Sequence, residues 1–321
     1  MSSAGNDLPF ERVSTEDLER ELALVRKSAA GEREGIFGPH SLTWRVSREA
    51  AIFLGAGRAL LLQLAHPWVA AAVAEHSRTL ADPVGRFHRT FEIVFTMVFG
   101  TLDQAFTAAR SLHRRHTAIC GRLPEDVGPF AAGSHYRANE IEALTWVHAT
   151  LIGSAVMAHD LVLPPLGTED RERHYSESRL FAGLFGIPRQ SLPDDWQDFT
   201  AYFDAMSSSA ILTVSPQART IARQLFEGKG TWLSVPRWYQ SLTAHLLPPP
   251  LRAAFGFQYA DADRLAAERI IKRLRRAYRL LPSRLRYVGP YQEAQARMLG
   301  RARPDLATRS INLFWIGKPQ L

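Results

Sequence analysis

The chain has 321 residues, 46% of them hydrophobic, with a net charge of +7 and a single cysteine. That is enough apolar material for a substantial core. A lone Cys120 excludes an intramolecular disulfide framework and any cysteine-built zinc or iron–sulfur centre, and it fits a reducing cytosol. The first 35 residues are charged and contain no signal-peptide apolar region, which also points to a cytoplasmic protein.

In chain order, residues 15–29 read as a short helix capped by Thr15, part of an N-terminal helical extension over 1–35. His40 to Arg45 reads as a connector, and a helix then runs from about Ser47 to Leu64. Pro67 interrupts it and starts a new Ala-rich helix, because proline lacks an amide donor but suits a first helical turn. Asp82-Pro83 is an N-cap followed by proline, opening a helix to Phe99 that stops at Gly100. Thr101 caps the next, to Cys120 and Gly121. Asn139 to Glu142 resembles a capping box opening a helix to about Ala158.

Further starts lie at Thr168, with an end near Gly186, at Pro193-Asp194-Asp195, and at Ser215-Pro216, with an end at Gly228. Pro236 starts a helix that ends before Pro248-Pro249-Pro250. Asp261 begins a long basic helix to Leu281, and Tyr291–Arg301 forms a short one. Almost nothing alternates with period two, so residues 36–321 read as one all-α domain. The apolar runs Ala59–Ala74 and Ala143–Ala158 are interrupted by Gln63, His66, Pro67 and His148. They fall short of the roughly 20 clean apolar residues that span a bilayer, and read as buried core helices.

Residues 57–121 carry five of the eleven histidines. His113 and His116, at i and i+3, project from neighbouring positions of one helix, and imidazole is a common iron ligand. Two histidines among arginines are equally ordinary packed or surface residues. Arg86 and Thr90, at i and i+4, line one face. Arginine there suits a propionate, a bound oxygen species or a carboxylate, or forms a helix salt bridge. His66 sits at a helix break, where it caps the second helix, bonds a freed carbonyl or takes a functional role. Glu75 lies beside an Ala/Val/Leu wall, the setting in which burial makes a carboxylate a general base, or it is a solvated acid at a helix end. His148, in an apolar helix with Trp146 and Thr150, is a satisfied core histidine or a functional one.

The arginine-rich stretch containing Arg273, Arg275, Arg276, Arg279, Arg284 and Arg286 reads as a solvated face, or as a basic surface for anionic lipid at a membrane, nucleic acid or an acidic redox partner. GAGRAL at 55–60 lacks the full glycine pattern of a nucleotide loop. No zinc-finger spacing or ribonucleoprotein motif is present, so no nucleic-acid partner is expected.

Several motifs occur together and in order: LLLQLAHPWVAAAVAEHS, then D-P-x-x-R-x-x-x-T at 82–90, then VFG at 98–100. H-x-x-H-x-x-I-x-G at 113–121 and YRANEIEALTWVHATL at 136–151 follow. Over roughly residues 40–250 the set resembles the family of the latex-clearing rubber oxygenases and the oxygenase that cleaves the mycophenolic acid side chain. The resemblance implies a globin-like helical core holding one haem b. It places the proximal iron ligand at His116 with His113 its neighbour, and the haem-side arginine and threonine at Arg86 and Thr90.

A lysine that binds iron on the distal side in some relatives corresponds to Arg89, and guanidinium is a very poor iron ligand. The family's catalytic glutamate has no clean counterpart, Glu75 being the nearest. His66 and His148 are further cofactor-pocket candidates. The expected function is an oxygenase acting with O2 on an apolar, unsaturated or isoprenoid-derived small molecule. A non-catalytic haem sensor and a peroxidase-like tailoring enzyme are the alternatives.

Overall fold

In the computed structural model, which describes residues 11–76, 82–227, 235–301 and 303–321, the first helix is capped one residue earlier than expected. Ser14 Oγ accepts from the Asp17 amide at 3.1 Å and Asp17 returns the bond to Ser14 N at 3.0 Å, a capping box. This α1 (Thr15–Ser28) packs on later helices through Leu18, Leu22 and Val25. The expected connector over 40–45 is partly helical, α2 (Leu42–Ser47), and the expected helix over 47–64 is broken after it into a 3-10 turn at Ala50–Gly55 and α3 (Ala56–Leu64).

The break has a tertiary cause. Glu49 is extended and 2% exposed. Its carboxylate takes two bonds from Arg286, both 2.9 Å, and one from Tyr278 at 2.9 Å. The Arg48 carbonyl is also bonded by Val288 N at 2.8 Å. A helix through Glu49 would surrender those partners. Gly55 is required here, because a Cβ would lie 2.6 Å from the Ser154 carbonyl oxygen of a crossing helix.

At His66-Pro67 the chain turns by 100° into α4 (Pro67–His76). Asp82 and Thr101 cap α5 (Pro83–Phe99) and α6 (Leu102–Ala118) as expected. A small hairpin unforeseen in the sequence follows: β1 (Cys120–Arg122) pairs antiparallel with β2 (His135–Arg137), Gly121 opposite Tyr136. The central α7 (Ile141–Val162) runs four residues beyond the expected end. Its start has no side-chain cap. Instead Ile141 N bonds the Glu11 carbonyl at 2.9 Å and Asn139 Nδ2 bonds the Val13 carbonyl at 2.9 Å, so the N-terminal segment closes it. At 22 residues α7 is long and apolar enough to cross a bilayer, but two thirds of that stretch is buried inside the protein. It is a core helix.

The remaining helices are α8 (Thr168–Gly183), α9 (Trp196–Ser207), α10 (Pro216–Glu227), α11 (Arg237–Leu246) and α12 (Pro249–Ala254). They are followed by α13 (Asp261–Leu280), α14 (Ser283–Arg286), α15 (Gly289–Met298) and α16 (Leu306–Ile316). The expected stop at Gly228 lies outside the described residues. With 69% helix, the architecture is all-α. Its main core gathers Trp44, Trp146, Phe95, Phe99 and Tyr175 around α7.

Candidate functional site

Helices α5 and α6 have 17 residues each, are joined by a two-residue connection and pack on each other, so they form an antiparallel hairpin. Residues equally far from the turn lie at the same height. Arg86 therefore stands within one residue's rise of His116, Thr90 of Leu112, and Val94 of Ala108. The Arg86–His116 level is roughly 21 Å from the turn by helical rise.

The burial pattern along these helices is uneven. No described residue of α5 before Phe95 is fully buried, although Phe87, Phe91, Ile93 and Val94 are apolar. On α6, Leu102, Ala105, Phe106, Ala109 and His113 form the buried face, whereas Ala108, Leu112 and His116, at spacing four, are half-buried. The two histidines thus belong to different faces. His113 sits in the core face near α1, where Glu19 acts on it electrostatically and its Nε2 has no hydrogen-bond partner. His116 belongs to the half-open strip.

Desolvation pushes His116 down to about 4, with smaller contributions from Arg115 and His113. A side chain that keeps accessible surface yet is desolvated this strongly lies in a recess. Its imidazole is neutral at pH 7, and neither ring nitrogen bonds another described residue. Arg86 is also half-buried, with its pKa lowered first by burial and then by Arg89.

The other expected residues are placed as follows. Thr90 is exposed on the same side of α5 as Arg86. Arg89 is 52% exposed and pairs with the N-cap Asp82 at 3.1 Å. His66 is buried and held near 4 by desolvation, and its Nδ1 accepts from the Trp68 amide at 3.3 Å. Of the readings open for it, the bond realised is the helix cap. His148 bonds the Ser178 carbonyl at 2.9 Å through Nε2, a satisfied core histidine joining α7 to α8.

Glu75 lies in the last turn of α4 and is 41% exposed, not walled in as the flanking alanines and valine suggest. Its Oε2 accepts the Tyr136 hydroxyl at 2.6 Å, and His76 Nε2 lies 3.6 Å from the same oxygen and 3.0 Å from the Cys120 carbonyl. A Cβ on Gly121 would sit 2.5 Å from the Tyr136 oxygen and 2.6 Å from Glu75 Oε2, so glycine is what lets this pair meet. Tyr136, fully buried, opens the YRANEIEALTWVHATL motif, and its pairing with Glu75 has no local signal in the sequence.

Residues 44–281 match the family described as ER-bound oxygenase mpaB/B'/Rubber oxygenase, catalytic domain. The chain belongs to this family. The match spans α2 to α13 and so contains the whole α5–α6 hairpin with Glu75 and Tyr136. An oxygenase catalytic domain, and hence an oxidoreductase, is the class this family defines. No curated protein and no solved structure matches the chain.

Proposed function

We propose that this protein is a haem b-dependent oxygenase acting with O2 on an apolar, unsaturated or isoprenoid-derived small molecule, with His116 binding the iron. The observation that carries the reading is the half-open strip on the α5–α6 hairpin. It puts a neutral, unpartnered imidazole level with a desolvated arginine, above apolar positions. These residues fit haem: a neutral imidazole is the form that binds iron, and Leu112, Ala108 and Val94 suit a flat apolar ring.

Bound there, haem supplies redox-active iron for chemistry with O2. The chain's own groups do the rest. His116 stays deprotonated because its recess disfavours the imidazolium. Arg86 offers a permanent cation for a propionate or for negative charge developing during reaction. Thr90 adds a hydroxyl beside it. Glu75, oriented by Tyr136, is the carboxylate available to take a proton from an allylic C–H.

The test is the absorption spectrum of protein made with haem supplied, wild type beside His116→Ala and His113→Ala. A Soret band near stoichiometric haem, lost or altered only in His116→Ala, supports the cofactor and its ligand. A folded, colourless wild type overturns both. Turnover with O2 then separates an oxygenase from a haem sensor, and dependence on H2O2 marks a peroxidase.

A peripheral membrane contact is part of the same proposal. Along α13, Arg269, Lys272, Arg273, Arg276 and Arg279 are exposed and have no carboxylate partner among the described residues. The helix ends in Leu280, 85% exposed, and Leu285 follows at 64%. Cations rimming exposed leucines suit anionic lipid, which neutralises the first and buries the second.

A further inference from the structure

A groove of about 410 Å³ runs between α7 and α9, and no residue of α5 or α6 lines it. It is formed by two helical stripes. Positions of α7 from Gly153 to Leu161, at spacings of three and four, face Trp196, Phe199 and Phe203 of α9, with Thr200 and Asp204 on the same stripe. Gly153 sets its width: a Cβ there would lie 3.2 Å from Phe203 Cε2 and 3.7 Å from Phe199 Cζ.

Each end carries a guanidinium laid against one of the aromatic rings. Arg171 lies 5.6 Å from the Trp196 ring centroid and Arg58 4.9 Å from that of Phe203. Their electrostatic situations differ. Arg171 pairs with Asp160 at 2.6 Å, and that carboxylate also meets His159 Nδ1 at 3.0 Å and Leu166 N at 3.1 Å. Arg58, only 9% exposed, has neutral acceptors alone: the Leu246 carbonyl at 3.0 Å and Ser154 Oγ at 2.8 Å.

Buried charges are ordinarily paired, because a lone desolvated ion costs several kcal/mol. Burial accordingly lowers the Arg58 pKa to about 10. Its Nη2 makes no hydrogen bond with a described residue and is not among the sealed, unsatisfied polar atoms, so it opens onto accessible space. Asp204, exposed on the α9 side, is the remaining free carboxylate of the lining. The seven helical steps from Gly153 to Asp160 separate the two ends by roughly 10 Å of rise, with aromatic surface between them.

We propose that this groove is a second binding site, separate from the His116 strip, for a medium-chain carboxylate whose headgroup meets Arg58 and whose apolar body lies along Phe203, Phe199 and Trp196. A carboxylate is favoured because Arg58 presents an open Nη2 donor and one positive charge that no carboxylate among the described residues pairs. The site stands on its own observations and goes beyond the oxygenase reading.

The experiment is calorimetric titration of the full chain, as purified, with decanoate and with decanol. Saturable decanoate binding at least tenfold tighter than decanol is expected. Thr200→Trp, a change at a half-buried groove position, is expected to weaken decanoate at least tenfold with the melting temperature unchanged. Asp204→Asn, which removes a nearby negative charge, is expected to tighten it. Arg58→Gln should abolish the preference for decanoate over decanol if that variant folds, and the two α9 variants decide the matter if it does not. Absence of saturable binding, equal affinity for the alcohol, or indifference to Thr200→Trp would overturn the proposal.

Discussion

Trp315 of α16 stacks face to face on Phe53 of the 3-10 turn, with centroids 3.8 Å apart and planes inclined by 5°. Phe53 in turn meets Phe87, Phe91 and Phe95 of α5 at 5.6, 4.6 and 6.2 Å. Thus a helix outside the family-matched span backs the helix that carries Arg86. Trp315→Ala is expected to cost about 2 kcal/mol, less than the ~3–5 of a fully buried aromatic, because Trp315 is half-buried. Hydrogen exchange should quicken over residues 83–91 first. A variant with unchanged stability and exchange would show that α16 does not brace α5.

His113→Leu separates the two histidines of the H-x-x-H pair. The buried Nε2 of His113 has no partner, so an apolar side chain of similar size relieves a desolvation cost of about 1 kcal/mol. The melting temperature should hold or rise while any Soret band stays in place. Loss of the haem spectrum would assign the ligand to His113 instead.

Acid should weaken the fold. His66, His148 and His174 are each held neutral near 4 by burial, and His174 has no partner on either ring nitrogen. Their pKa values are depressed, so their contribution is complete above about pH 6.5 and is lost as pH falls towards 4. In that window the unfolded chain binds protons that the folded chain refuses, at up to about 1.4 kcal/mol per histidine per pH unit. Glu140, pushed up to about 7, acts in the opposite sense, because the folded state keeps a proton that the unfolded state loses above 4.5. Glu21 and Glu293 are raised by burial in the same direction. With four strongly shifted histidines, His116 being the fourth, against one such carboxylate, Tm should drop by more than about 3 °C between pH 7.5 and 5.5. A flat profile would contradict this balance.

If Glu75 takes the substrate proton, Glu75→Gln should keep bound haem and lose about 10²–10⁴ in turnover, the usual range for a general base. Tyr136→Phe removes the 2.6 Å hydrogen bond that orients the carboxylate. It should reduce turnover by a smaller factor, about tenfold, and cost about 1 kcal/mol of stability. Full activity in Glu75→Gln would remove this residue from the mechanism.

Sedimentation with vesicles tests the basic helix. Phosphatidylserine-containing vesicles should retain the protein, phosphatidylcholine vesicles should not, and 0.5 M salt should release it through screening, with a Debye length of only about 4 Å. Leu280→Ser with Leu285→Ser should weaken the retention without changing the melting curve, since both leucines are exposed. Equal behaviour on neutral vesicles, or competition by nucleic acid, would redirect the assignment.

What the sequence made legible was local. Asp82-Pro83 and Thr101 mark the starts of α5 and α6 because caps act within three residues. The all-α class follows from helix punctuation repeated along the chain. The extended residue at Glu49 was not legible, because its cause, Arg286, lies 237 positions away. Nor was the Tyr136–Glu75 pair, which needs the Gly121 hairpin to bring β2 under α4. Arg58 carries a signal in the sequence: a single cation inside an otherwise apolar run. For α16, the Asp305 cap and the left-handed Gly317 at φ +68° were both present, but Leu313 and Phe314 are exposed and blur the apolar face.

The Glu49–Arg286 contact also governs how this protein can be divided or recombined. A chain stopped at residue 281 would retain every residue of the family match and lose Arg286, leaving the Glu49 carboxylate inside the protein with only the longer 3.5 Å contact to Arg48 and the Tyr278 hydroxyl. Removing one partner of a buried ion pair costs roughly 3–5 kcal/mol, a large part of the stability of an ordinary domain. The last forty residues are therefore inseparable from the core that precedes them. A chimera that exchanges this tail between relatives must exchange position 49 with it.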